Sequence, residues 1–185
     1  MRFGLDLTIF GDLADPALLA ELAVAAEGTG WDGFFLWDHV ATARDSRVTD
    51  PWVALSAAAV RTKHIRLGPM VTPLARRRMT KLARETVALD RLSAGRLILG
   101  VGLGAHDVME FGAFGDEADR RTRARILDES LEVLAALWSG EPVSFEGEHV
   151  RVSAEPFLPT PMQRPRIPIW VAGSWPSKRP LRRAA

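Results

Sequence analysis

The sequence predicts an α/β fold, a single domain over residues 1–185 in which parallel strands alternate with helices. Three observations predict it: short apolar runs recur about every thirty residues, helical patterns with clear start signals lie between them, and polar residues collect where the runs end. Continuous apolar runs are typical of strands buried on both faces. Strand–helix repeats at this spacing require parallel strands joined by right-handed crossovers.

The predicted strands are five runs rich in Val, Ile, Leu and Phe. The first four begin 31, 32 and 31 residues apart, and the fifth follows a proline-rich stretch. They are Arg2–Leu7, Gly33–Trp37, Ile65–Val71, Arg96–Val101 and Ile167–Ala172.

The predicted helices carry recognisable start signals. Asp15-Pro16 and Asp50-Pro51 each combine an acidic cap with a proline in the first turn, which satisfies one backbone amide and removes another. Further helices are predicted at about Thr80–Leu92 and Asp119–Trp138, and a truncated one at the end of the chain. Two runs that flank Glu146-Gly147-Glu148 predict a small hairpin before the fifth strand, Val143–Phe145 and Val150–Val152.

Two architectures fit five parallel strands, a TIM-type (β/α)8 barrel and an open doubly wound sheet. A complete barrel takes about 250 residues, and this chain has 185. We therefore expect an incomplete TIM-type barrel that stops before it can close.

Composition narrows the classes of function. The formal charge of +1, from 24 basic and 23 acidic side chains, does not favour nucleic acid or an anionic membrane as a partner. The basic run Arg76-Arg77-Arg78 is interpreted as a solvated helix face. The chain has no cysteine, and no apolar run or signal-peptide pattern that would direct it to a membrane, so a cytoplasmic location is expected.

Polar residues follow the predicted strands at the edge where parallel α/β folds bind ligands. Asp38-His39 is an acid–imidazole pair at the end of the second strand, and histidine can act as base, acid or hydrogen-bond donor there. The alternative is a core histidine bonded to backbone. His106 and Glu110 have an i,i+4 spacing that could suit a metal, but two ligands are too few, and no metal site is predicted.

The combination of motifs resembles the bacterial luciferase-like monooxygenases over almost the whole chain. Its motifs are Asp38-His39, Asp50-Pro51-Trp52, Ile65 to Pro73, Leu82 to Thr86, Leu89 to Arg96, Gly100 to Gly104, and Ile167 to Gly173.

The resemblance implies an oxidoreductase that binds reduced FMN or the deazaflavin coenzyme F-420 at the C-terminal rim of the strands. It places the ring over a bulge at the end of the third strand, often with a non-proline cis peptide, and Asp38 and His39 beside the ring as the catalytic pair, with Asp38 orienting His39. The residues it assigns to cofactor binding are Met70, Val71, Thr72, Gly102, Gly104, Ala172, Gly173 and Ser174.

The expected activity is oxygenation of a small organic substrate with reduced FMN and oxygen, or hydride transfer with the deazaflavin. Asp38-His39 favours the deazaflavin slightly, although Ala105 stands where some deazaflavin dehydrogenases carry a glutamate. The resemblance also implies a homodimer. Two alternatives remain: a non-catalytic half-barrel that only dimerises, and an open-sheet nicotinamide-dependent reductase, for which the turn after the first strand lacks the required glycines.

Overall fold

The computed structural model describes residues 1–42, 47–105, 107–173, 176 and 178–184. These residues form eight strands and five α-helices. The strands are β1 (Gly4–Leu7), β2 (Gly33–Leu36), β3 (Arg66–Pro69), β4 (Thr72–Pro73), β5 (Leu99–Gly102), β6 (Val143–Glu146), β7 (Arg151–Ala154) and β8 (Ile169–Val171). The helices are α1 (Pro16–Gly28), α2 (Pro51–Arg61), α3 (Met79–Leu92), α4 (Arg120–Ser139) and α5 (Lys178–Ala184).

The strands form a parallel wall in two parts. One sheet has the order β1-β2-β3 and the other β4-β5-β8, all pairs being parallel. A bridge between Leu67 and Leu97 joins the two parts. The parallel α/β prediction is confirmed, and the described strands do not close into a barrel.

The predicted third strand is divided in two. β3 ends at Pro69, the Met70–Val71 peptide is cis, and the chain resumes as β4, which pairs Thr72 with Val101 of β5. This is the bulge with a non-proline cis bond that the family resemblance implied.

Helix starts follow the sequence signals. The carboxylates of Asp15, Asp50 and Asp119 accept hydrogen bonds from the amides of Ala17, Val53 and Thr122, as N-cap residues do. Gly140 ends α4 in the left-handed conformation with φ of 84°, where a residue without Cβ is not strained. The three acidic N-cap residues therefore fix where α1, α2 and α4 begin.

The core lies between the strands and the helices. The buried strand residues of this core include Phe34, Leu36, Leu67 and Leu99. The rings of Phe35 in β2 and Trp170 in β8 lie 5.4 Å apart; Phe35 is buried, whereas Trp170 is 49% exposed.

The segment before β8 is fixed by buried or bridging carboxylates. β6 and β7 pair in antiparallel fashion, and the side chain of Glu129 in α4 accepts hydrogen bonds from the amides of residues 148–150 of their turn. Asp90 of α3 binds the amides of Met162 and Gln163 in the proline-rich stretch. Among the described residues, no helix is both long and apolar enough to cross a bilayer.

Candidate active site

A pocket of about 660 Å³ opens at the C-terminal ends of β2, β3, β5 and β8. This is the edge of the sheet that the sequence analysis predicted. Its lining consists of Trp37, Asp38, His39, Met70, Val71, Pro73, Leu103, Gly104, Ala105, Glu110, Arg120, Arg121, Ala124, Leu127, Ala172, Gly173, Pro180 and Arg183.

Most of the predicted site residues meet at this pocket. Seven of the ten line it directly: Asp38, His39, Met70, Val71, Gly104, Ala172 and Gly173. Thr72 and Gly102 are not among the lining residues, and Thr72 is completely buried. Ser174 lies outside the described residues.

Asp38 is a buried carboxylate held by four groups. Its Oδ1 accepts from Nη2 of Arg76 at 2.7 Å, and both of its oxygens accept from Nη2 of Arg77, at 2.9 and 2.8 Å. Oδ2 also accepts from the hydroxyl of Thr72 at 2.8 Å and from the indole of Trp52 at 3.3 Å. The carboxylate therefore fastens the end of β2 to the segment that follows β4.

The burial of Arg76 and Arg77 contradicts one interpretation of the sequence. Their side chains are 5% and 20% exposed, and both lie before the start of α3. The prediction of a solvated helix face is wrong for these two residues, because each is paired with a buried acid whose position could not be read from the sequence. Arg78, the third member of the run, is exposed.

His39 is held by Glu110. Nδ1 of His39 lies 2.9 Å from Oε1 of Glu110, and the amide of Val40 donates to the same oxygen at 3.0 Å. The imidazole also packs against Trp37, with ring centroids 5.6 Å apart. The carboxylate that contacts this nitrogen is thus Glu110, whereas the oxygens of Asp38 bind Arg76, Arg77, Thr72 and Trp52.

Glu110 is fully buried and carries a perturbed pKa. Burial alone would raise the pKa of this carboxyl. The hydrogen bond and charge of His39, the amide of Val40 and the guanidinium of Arg76 outweigh burial, so the pKa lies below its ordinary value. Glu110 is therefore expected to be ionised at neutral pH.

The sequence analysis considered Glu110 only as a partner of His106 for a metal. His106 lies outside the described residues, and no group of three or more potential metal ligands occurs in the part of the chain that the structure describes. Glu110 belongs to a single π-helical turn, Asp107–Phe111, between β5 and α4. Glu110 and His39 are 71 residues apart, and no local pattern in the sequence indicates their contact.

Glycines of β5 fit the wall closely against the Met70–Val71 bulge. A Cβ on Gly100 would lie 2.3 Å from the carbonyl oxygen of Pro69, and one on Gly102 would lie 2.7 Å from Cγ2 of Val71. The space beside these two glycines is thus filled by protein atoms rather than by a ligand. The two glycines allow β5 to pack closely against the Met70–Val71 segment, which lines the pocket. That Gly102 contacts a cofactor stays a prediction.

The mouth of the pocket is basic. Arg120 and Arg121 at the start of α4 and Arg183 of α5 contribute to its lining. Arg183 forms an ion pair with Asp128, and the same edge continues into a second cavity of about 930 Å³ that Arg125 and Arg182 also line. An anionic group on a ligand would be favoured here.

The fold and the pocket together define a parallel α/β protein with a pocket at the carboxyl ends of its strands, an imidazole–carboxylate pair in that pocket and a cis bulge beside it. The sequence pattern of the luciferase-like monooxygenases matches residues 3–185, and the chain belongs to that family.

Individual relatives include an F420-dependent dehydrogenase and a monooxygenase. The chain is 34% identical over 169 residues to an F420-dependent glucose-6-phosphate dehydrogenase of Nakamurella multipartita, an alignment that covers 88% of this chain and 48% of the relative. It superposes on the monooxygenase RslO1 of Streptomyces bottropensis with a TM-score of 0.79 and 31% identity, covering 92% of this chain and 53% of that one.

A third similar structure supports the fold alone. It is an F420-dependent secondary alcohol dehydrogenase in complex with an F420–acetone adduct, matched with a TM-score of 0.80 at 22% identity over 93% of this chain and 52% of that one. The chain thus spans about half the length of the relatives it matches.

Proposed function

We propose that the 660 Å³ pocket binds a reduced or oxidised flavin-type cofactor, FMN or the deazaflavin F-420, and that the protein transforms a small organic substrate there. The observation that carries the proposal is that His39, held by a buried carboxylate, and the cis Met70–Val71 bulge line the same pocket. The volume lies within the range of sites that take cofactors and drug-sized ligands.

The lining residues fit such a cofactor. Met70, Val71 and Ala172 offer an apolar floor for a flat ring, and the basic mouth at Arg120 and Arg121 suits a phosphate. When bound, the cofactor supplies hydride or oxygen chemistry. The protein then contributes the orientation of the ring, the exclusion of water from its buried side, and a proton-handling group.

His39 is the residue proposed to handle the proton. In the oxidation of a hydroxyl to a carbonyl, a bound oxidised deazaflavin would supply the hydride acceptor, and the imidazole of His39 would accept the proton. Asp38 is proposed to act indirectly, because its bonds to Arg76 and Arg77 hold the end of β2 in place.

Between the two cofactors, we favour the deazaflavin. The Asp38-His39 pair and the 34% identity to an F420-dependent dehydrogenase support this choice. The alanine at position 105, which lines the pocket, replaces a carboxylate that some deazaflavin dehydrogenases carry, so the acid of those enzymes is not proposed here. A cytoplasmic enzyme with a small hydroxylated substrate is the resulting proposal.

The experiment is a fluorescence titration of the purified chain with FMN and, separately, with the deazaflavin. Saturable binding that is weakened at least about tenfold in Val71→Asp, a change that places a charge on the apolar floor, would support the proposal. Val24→Asp is the matched control, because Val24 is exposed on α1 and is not among the residues that line the pocket. Absence of binding by a chain with a cooperative unfolding transition would reject it.

The homodimer is also a proposal. Val53 and Val60 are seven residues apart on one face of α2 and are 59% and 64% exposed, a spacing at which an apolar surface can form. Light scattering of the native chain and of Val53→Lys is the test. A mass of one chain for the native protein at micromolar concentration would contradict it.

A further inference from the structure

Glu110 is a buried charge whose contacts are concentrated on one oxygen. Oε1 receives the amide of Val40 and faces Nδ1 of His39, and Nη1 of Arg76 lies 3.6 Å from it. Oε2 is buried and has no hydrogen-bond partner among the described residues. Burial of a carboxylate with one oxygen unsatisfied is costly, so a merely structural role explains this residue poorly.

The ionisation of Glu110 fixes the hydrogen on the imidazole. Because its pKa is lowered, the carboxylate is ionised and can only accept hydrogen bonds. The amide of Val40 already donates to Oε1, so the contact at 2.9 Å requires that Nδ1 of His39 carry a hydrogen and donate it. In the neutral ring the other nitrogen, Nε2, is then the basic one.

We propose that Glu110 is a positioning residue that holds His39 as the Nδ1–H tautomer and so makes Nε2 its proton acceptor. The use of that nitrogen in catalysis depends on the proposed function, whereas the tautomer itself does not. His39 lines the pocket, and a carboxylate that fixes the tautomer of a catalytic imidazole is a recurrent arrangement in enzymes.

Asp38 does not fix the tautomer of His39 in this way, because both of its carboxylate oxygens already accept hydrogen bonds from other groups. Both of them are occupied by Arg77, and Thr72 and Arg76 take one each. The two acids therefore have different roles: Asp38 compensates the charge of the buried guanidinium groups, and Glu110 fixes the tautomer of His39.

The test is nitrogen-15 NMR of the histidine rings in the cofactor-free chain, at a pH where His39 is neutral. A charge-assisted hydrogen bond favours one tautomer by at least about tenfold, so the native chain is expected to show Nδ1–H almost exclusively. Glu110→Met, which has similar length but no acceptor, is expected to give a mixture. Glu110→Gln keeps an oxygen for Val40 and His39 and should restore the Nδ1–H form in large part.

His64 is the internal reference, because it is exposed in the turn before β3, at the opposite end of the strands from the pocket, and its ring signals should be the same in all variants. A native His39 that is mainly Nε2–H, or a tautomer ratio unchanged in Glu110→Met, would overturn the proposal. The native measurement decides even where the Met variant does not fold. Cofactor titrations run in parallel separate the two claims: binding without the predicted tautomer rejects this inference, and the tautomer without binding rejects the proposed function.

Discussion

Removal of the Asp38 carboxylate should destabilise the chain strongly. In Asp38→Ala, Arg76 and Arg77 lose the acid that both of them bind, although their side chains are only 5% and 20% exposed. Breaking a buried ion pair by deleting one partner costs about 3–5 kcal/mol, because the remaining charge stays buried without compensation. Two guanidinium groups and the hydroxyl of Thr72 are affected here, but Arg76 keeps Glu110 at 3.6 Å, so we expect about the middle of that range.

The assay is urea unfolding followed by tryptophan fluorescence. With a denaturant dependence of about 2 kcal/mol/M, a loss of about 4 kcal/mol lowers the midpoint by about 2 M. Asp38→Asn keeps an acceptor for Thr72 and should lose less. Asp12→Ala is the control, because Asp12 is fully exposed in its contact with Arg47 and should leave the midpoint unchanged. Equal midpoints for Asp38→Ala and Asp12→Ala would refute the electrostatic account of this cluster.

Two further predictions concern the floor and the wall of the pocket. Gly100→Ala should lower stability by about 1–3 kcal/mol, since its Cβ would meet the carbonyl of Pro69 at 2.3 Å, whereas Gly28→Ala, with nothing within 4 Å, should be neutral or slightly stabilising; equal melting temperatures would contradict this. Because the pKa of Glu110 is lowered from 4.5, its ionised form stabilises the fold above that pH, and the stabilisation is lost as pH falls through the lower folded value. The difference in free energy of unfolding between the native chain and Glu110→Gln should therefore decrease below about pH 4.5. A difference that grows as the pH falls would contradict this prediction.

The sequence by itself determined the elements and their order. Strands appear wherever apolar runs are continuous, as at Gly33–Leu36, and helices begin at capping acids such as Asp15 and Asp50. These are local effects of side-chain burial and hydrogen bonding, which depend on residues a few positions apart. The edge of the sheet that carries the pocket followed from the same reasoning, because all parallel strands end on one side.

The resemblance to a family added what local pattern does not contain. It indicated the bulge at Met70 and Val71, which the structure contains as a cis peptide, and it selected His39 for the site. Whether Met70 and Val71 contact a cofactor stays a prediction.

Only the tertiary structure determined which charged side chains are in contact. Glu110 reaches His39 across 71 residues, and Arg76 and Arg77 reach Asp38 across 38 and 39. Sequence separation of this size leaves no periodic signal, so an arginine run is indistinguishable from a solvated helix face until its buried acid is located. The energy of a charge depends on its burial and its partners, and both are properties of the folded chain rather than of the residue.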